Sequence, residues 1–133
     1  MEQKNRFEEW ETFLDNASLG VHLVGEDGTI LWVNKPELKM LGYTAEEYVG
    51  KSIVDFHVDR DVIERILTIL TTGGTLLSYP ARLRAKDGSI KYVLINSNVF
   101  RKNGKFVHTR CFTNSISKEV YTQLRAELPR HVQ

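Results

Sequence analysis

Residues 76–85, 90–100 and 106–113 form three long stretches rich in apolar and β-branched side chains, joined by the loops KDGS and RKNGK. Asp-Gly and Asn-Gly supply the left-handed backbone that tight hairpins require, so strands joined this way form an antiparallel meander. The second half of the chain is thereby committed to one antiparallel sheet. The middle strand carries a conflict within it. In KYVLINSNVF one alternating face holds Val93, Ile95, Ser97 and Val99, the other Tyr92, Leu94, Asn96 and Asn98. A half-buried strand is ordinarily apolar on one face and polar on the other. Here each face is mixed, which raises the question of what the sheet faces.

The first half is punctuated differently. Residues 6–15 place Phe7, Trp10, Phe13 and Leu14 at helical spacing, with Glu8, Glu9 and Glu11 off the stripe. Strands are expected near residues 20–24 and 29–33, turned by Asp27-Gly28. Short helices follow. Asn34 caps the first, with Pro36 and Glu37 in its opening turn and Gly42 at its end. Thr44-Ala45-Glu46-Glu47 has capping-box spacing for a second, which Gly50 closes. Asp61 is read as the cap of a longer helix bearing Val62, Ile63, Ile66, Leu67, Ile69 and Leu70, stopped by Gly73-Gly74. A helical tail is expected from Lys118 to Pro129. The order helix, two strands, short helices, three strands, helix indicates an α+β fold on one antiparallel sheet.

At 133 residues the chain is expected to form one domain. Its 18 basic and 17 acidic residues make no electrostatic case for nucleic acid or an anionic membrane. The single cysteine, Cys111, excludes an internal disulfide and agrees with a reducing compartment. No apolar run is long enough to span a bilayer, and MEQKNRFEEW is no signal peptide, so a soluble cytoplasmic protein is expected.

The ordered set GVHLVGEDGTILWVNKPELKMLGYTAEEYVGKSIVDF, ARLRAKDGSIKYVLINSNV and FVHTRCFTNSISKEV resembles a PAS sensory domain, most of all those of bacterial sensor histidine kinases, over roughly residues 17–119. The resemblance implies a curved five-stranded antiparallel sheet, short helices on one face, and flanking N- and C-terminal helices. It divides the chain into a flanking helix at residues 1–16, a PAS domain at 17–117 and a possible signalling tail at 118–133. The exit carries Ser115-Ile116-Ser117 where such domains often have Asp-Ile-Thr.

That fold answers the question posed by the middle strand, because its sheet looks into a hollow on one side and meets a helix or second subunit on the other. The resemblance turns Val93, Ile95, Ser97 and Val99 inward, together with Thr109, Cys111 and Thr113 from the last strand. His22 and Val24 of the first strand complete the candidate ligand cavity. Tyr92 and Leu94 would be outward beneath the Phe7, Trp10 and Leu14 stripe, and Asn96 and Asn98 would face water. The stripe Phe7, Trp10, Phe13 and Leu14 is read either as a lid on its own sheet or as a dimer surface.

Each candidate has a plainer reading. His22 is a candidate haem or metal ligand, but a lone strand histidine is more often a hydrogen-bonded packing residue. His57 lies where haem-binding relatives place an axial ligand, yet the helix DRDVIERILTIL has no histidine, which argues against haem. His108 is expected on the outer face and His131 in the tail, and the four histidines have no zinc spacing. Light-sensing relatives attach flavin through a cysteine in a motif like Asn-Cys-Arg-Phe. The corresponding GKSIVDF has none, so a covalent flavin is not expected, and Cys111 reads as a small buried hydrophobe.

No phosphate-binding glycine loop or assignable catalytic set is present, so an enzyme is not expected. The leading reading is a sensory module that binds a small molecule in its core. Its flanking helices would relay the state to an output domain such as a histidine kinase, in the same chain or another, and the assembly would be a homodimer. A ligand-free dimerisation scaffold and a small cavity enzyme stand as alternatives.

Overall fold

The computed structural model describes residues 8–128. Phe7, the expected helix start at Arg6, and the tail residues Pro129 and His131 lie outside the described residues. The first described helix, α1, covers Trp10–Asp15, with Glu9 before it in extended backbone (φ −62°, ψ 148°) and making no side-chain cap. Glu8 and Glu9 therefore precede the helix, where the apolar spacing alone had placed them inside it.

Strands β1 (Gly20–Val24) and β2 (Ile30–Val33) form the first hairpin. Asn34 then caps α2 (Lys35–Leu41), which ends on the left-handed Gly42 (φ 86°). Thr44 and Glu47 form the reciprocal capping box of α3 (Ala45–Tyr48). A 3₁₀ turn over Ile53–Phe56 leads to α4 (Arg60–Thr71). The capping position of α4 belongs to Asp59 rather than Asp61, which sits in the first turn. Asp59 makes no cap hydrogen bond, because its two carboxylate oxygens accept from Arg82 Nε (2.9 Å) and Nη2 (2.6 Å). A forked ion pair to β3 outcompetes the local cap, tying α4 to the sheet.

The meander runs through β3 (Leu76–Arg84), β4 (Ile90–Lys102) and β5 (Lys105–Ser115), and α5 covers Lys118–Glu127. The five-stranded sheet has the order β2-β1-β5-β4-β3, so β5 is central and links the two hairpins. Its inner face packs against α4 and the 3₁₀ turn through a core containing Ile30, Tyr48, Ile63, Leu70 and Val93.

The outer face is shared between the two flanking helices. Trp10 of α1 packs on Trp32 (ring centroids 5.0 Å apart) and lines a groove with Leu14, Leu23, His108 and Phe112. Tyr92 instead meets Tyr121 of α5 (5.2 Å), so the C-terminal helix covers the site that the sequence had assigned to the N-terminal stripe. Phe13 is 63% exposed. Asn96 and Asn98 are half-buried rather than left to water. Asn96 Oδ1 accepts from the backbone of Ser78, where β3 bulges with positive φ, and Asn98 Oδ1 accepts from Arg110 Nε. Both amides thus hold the backbone or a side chain of a neighbouring strand.

Candidate functional site

The register of the sheet sets one row of inward side chains across neighbouring strands. Cys111 of β5 lies opposite His22 of β1 on one side and Ser97 of β4 on the other. All three are buried. The Ser97 hydroxyl is 2.9 Å from the Cys111 sulfur, and Thr109 Oγ1 is 3.1 Å from it. Thr109 Oγ1 also accepts the Val24 backbone N–H (3.0 Å), which leaves its own proton free to point at sulfur. Small hydroxyls on this face therefore bond to sulfur and backbone within the sheet.

A residue that sequence reasoning had treated only as a cap completes the cluster. Glu37 of α2 is fully buried, and its Oε2 lies 2.7 Å from His22 Nδ1, as an ion pair off the line of a straight hydrogen bond. The same oxygen accepts the Tyr48 hydroxyl at 3.0 Å. Thr113, opposite Gly20 in the sheet, sits beside the carboxylate without a well-aligned bond. Gly20 is what lets α2 come so close. A Cβ at that position would lie 2.5 Å from Glu37 Oε1 and 2.9 Å from Glu37 Cβ.

Asn34 positions Glu37 and β1 together. Its Oδ1 accepts the backbone N–H groups of Val21 (2.8 Å) and Glu37 (3.2 Å), while Nδ2 donates to the carbonyls of Leu14 (2.8 Å) and Leu19 (3.0 Å). One fully buried amide uses all its bonding capacity to join α1, β1 and α2.

The electrostatics follow from this geometry. Burial acts to neutralise His22, but the Glu37 carboxylate, with help from Cys111, wins and holds the imidazole well above its usual pKa. Burial likewise opposes ionisation of Glu37, and the charge on His22 keeps its carboxyl below the usual range. Cys111 is lowered despite its burial, because His22, Ser97 and Thr109 favour the thiolate. Burial and the adjacent Glu37 charge push the Tyr48 phenol well up. His57 goes the other way. Burial, reinforced by the charge on His22, lowers it to about 3, so it is neutral near pH 7.

Of the sequence-derived cavity residues, His22, Val24, Ile95, Thr109 and Cys111 line one hollow, closed by His57 and by Ile63, Ile66 and Leu70 of α4. Ser97 reaches it only through the Cys111 sulfur, and Val93, Val99 and Thr113 lie outside its lining. The hollow measures about 20 Å³. That is room for a single water-sized guest, since a water needs roughly 10–15 Å³ by this measure. Anything larger requires α4 to move. Among the described residues no group of His, Cys, Asp and Glu has the arrangement of a metal site, and no helix is long and apolar enough to cross a membrane.

Glu37 and Tyr48 were missed because each has a sufficient local explanation. Glu37 occupies the N3 position after Asn34, and Tyr48 is the last residue of the short helix that the Thr44 box opens. The available signal was the pairing of a histidine on β1 with the side-chain-free Gly20 two residues earlier, on the same face.

The PAS fold family model matches residues 8–114. Among solved structures, the PAS domain of an HTR-like protein from Haloarcula marismortui is 23% identical, with a TM-score of 0.71, covering 86% of this chain and 93% of that one. A PAS domain from a two-component sensor histidine kinase is 19% identical, with a TM-score of 0.68 and coverage of 86% and 98%. The dark structure of the blue-light photoreceptor Aureochrome1 LOV is 17% identical, with a TM-score of 0.74 and coverage of 91% and 94%. No curated protein matches.

Proposed function

The chain belongs to the PAS family, and from that premise we propose that it is a relay module whose input is the buried His22–Glu37–Cys111 cluster and whose outputs are α1 and α5. The observation that carries this reading is the position of β5. Its inner face holds Thr109, Cys111 and Thr113 in or beside the cluster. Its outer face presents His108, Arg110 and Phe112 to the groove of Trp10. The strand then passes directly into α5, whose first turn is capped by Ser117 Oγ accepting from Val120. The Ile116 N–H donates to the Tyr92 carbonyl (2.9 Å), so the exit is tied to β4 by a backbone bond. Cys111 is one residue along the strand from Arg110 and Phe112 of the α1 groove, and five from Ile116, where the strand leaves the sheet for α5.

A hollow of about 20 Å³ favours a small input, such as a proton, a water or a small polar molecule, over a cofactor. The output is an adjoining domain or partner chain, a histidine kinase being one type, by analogy with the sensor-kinase neighbour. Thr113→Val, which removes a hydroxyl beside Glu37 at constant shape, tests the relay by hydrogen–deuterium exchange. Faster exchange in α1 and α5 is expected. Unchanged exchange in both helices would refute the relay.

A second reading, a dimerisation scaffold, draws on the exposure of Trp10 (52%) and Phe13 (63%) on α1 and of Leu31 (48%) on β2. Native mass spectrometry separates it. A bare dimer without bound guest favours the scaffold, and a monomer removes it.

A further inference from the structure

Cys111 is surrounded by more chemistry than packing requires. Two hydroxyl oxygens lie within 3.1 Å of its sulfur, one of them with its proton free for the sulfur. His22, paired on the other side with Glu37, lies against the same thiol. An ordinary buried thiol offers one weak donor and needs no such convergence of donors. A thiolate does, and the thiolate is the nucleophilic form of cysteine.

An independent observation points to a guest beside the sulfur. His57 is 7% exposed, lines the same hollow as Cys111, and its Nδ1 has no hydrogen-bond partner among the described residues. A buried polar nitrogen left unbonded is costly, so a small polar molecule there would recover its bond. The apolar wall of Ile63, Ile66 and Leu70 excludes bulk, and a guest of two heavy atoms, already larger than water, enters the hollow of about 20 Å³ only with a small shift of α4.

We propose that Cys111 is an oxidisable thiol, and that its reactant is a small neutral hydroperoxide, hydrogen peroxide itself, received in the hollow between Cys111 and His57. The proposal rests on the cluster being the input of the module. The sulfur electron pair attacks one peroxide oxygen, so an S–O bond forms as the O–O bond breaks. Sulfur is oxidised by two electrons and the peroxide is reduced. The departing hydroxide takes the proton held on His22 and leaves as water, so thiolate, imidazolium and peroxide become sulfenic acid, imidazole and water. His57, which lines the same hollow, supplies the unpartnered ring nitrogen available to the peroxide. The chain contains one cysteine, so the sulfenic acid has no second thiol within it to condense with and persists as the modified state. The Ser97 hydroxyl, 2.9 Å from the sulfur, then faces a neutral sulfenic acid instead of a thiolate, which changes the bond that joins β4 and β5 at this point.

The test treats the purified full chain with hydrogen peroxide for set times, removes the excess with catalase, unfolds the chain in guanidinium with dimedone so that the trap reaches the sulfur, and follows the Cys111 peptide by mass. The folded chain is compared with the same chain in guanidinium at equal pH. An unassisted buried thiol reacts more slowly when folded, whereas an activated one is expected to react faster, by about tenfold or more. Ser97→Ala, a small change with little folding risk, should slow the folded reaction several-fold, and His22→Gln more so. Slower oxidation of the folded chain than of the unfolded one overturns the proposal. If oxidation proceeds but exchange in α1 and α5 is unchanged, the relay fails while the thiol chemistry stands. If Thr113→Val alters exchange but Cys111 resists peroxide, the reverse holds.

Discussion

Glu37 occupies the space that a side chain at Gly20 would need: its Oε1 stands 2.5 Å from where that Cβ would be. The absence of a side chain on β1 is thus what admits a carboxylate from α2 to the inner face of the sheet, within 2.7 Å of His22. Gly20→Ala should therefore act as a core overpacking change although it adds one methyl. The nearest obstacles include the Glu37 Cβ and backbone Cα, which cannot swing aside as a flexible tip can. A loss of about 1–3 kcal/mol is expected in urea unfolding. A variant as stable as the parent would show that α2 can shift outward at no cost.

Glu37→Gln tests the pair itself. The substitution keeps shape but leaves His22 without its counter-charge in a fully buried setting. Breaking a buried pair on one side costs about 3–5 kcal/mol, while replacing both partners by apolar groups is far milder. The double change His22→Leu with Glu37→Leu should accordingly be more stable than Glu37→Gln alone. Equal destabilisation by all variants, measured by urea midpoint at constant m, would remove the charge pair from the account.

The acid side of the stability profile should be governed by His57. Its pKa is about 3 when folded and near 6.5 when unfolded, so the unfolded chain binds the extra proton between those values. Stability is then full above pH 6.5 and is lost as pH falls toward 3. His22 has the opposite sign: its pKa is raised, so its contribution is complete below 6.5 and fades only as pH rises through the folded value. Glu37, lowered from 4.5, adds its loss only at more acidic pH. Between pH 6 and 5 the His57 slope stands nearly alone, at about 1.4 kcal/mol per pH unit. His57→Gln should flatten it, and an unchanged slope in that variant would assign the acid sensitivity elsewhere.

The fold was legible because its signals are local and mutually consistent. Asn34, Gly42 and the Thr44–Glu47 box mark α2 and α3 where the sequence places them, and the Asp-Gly and Asn-Gly turns define the hairpins. The grouping of Val93, Ile95 and Ser97 on one face was readable from period two, and the resemblance supplied which face is inward. What escaped depends on contacts between residues far apart in sequence. Asp59 leaves its cap for Arg82, 23 residues away, and Glu37 finds His22 across the sheet. Tyr92 meeting Tyr121 rather than Trp10 depends on where each flanking helix crosses the sheet, which no local pattern encodes. Small residues at 97, 109, 111 and 113 suggested open space, whereas Ile63, Ile66 and Leu70 of α4 fill most of it.

Ser97→Phe follows from that last point. Ser97 is 3% exposed and bonded to Cys111, and the adjoining hollow of about 20 Å³ cannot take a phenyl ring. Overpacking of about 1–3 kcal/mol is expected, seen as a lower Tm. Retention of the parental Tm would mean that α4 moves aside readily, and with it that the hollow opens to larger guests.

Tyr121→Ala asks whether α5 is held to the sheet by the contact that places it. The Tyr92 and Tyr121 rings are 5.2 Å apart at a tilt of 54°, and α5 has no fully buried residue among those described. A helix without a buried stripe depends on few contacts, so losing one should be felt locally more than globally. The ring pair is worth about 0.5–1.5 kcal/mol beyond its buried area. Exchange in Lys118–Glu127 should therefore rise by roughly three- to tenfold, as that free energy implies at 1.4 kcal/mol per decade, while β4 and β5 keep their protection. Trp10→Ala, on the other flank, should leave α5 unaffected, because α1 and α5 rest on different strands of the outer face. If Trp10→Ala loosens α5 as much as Tyr121→Ala does, the two helices are joined by a path other than their separate seats on the sheet.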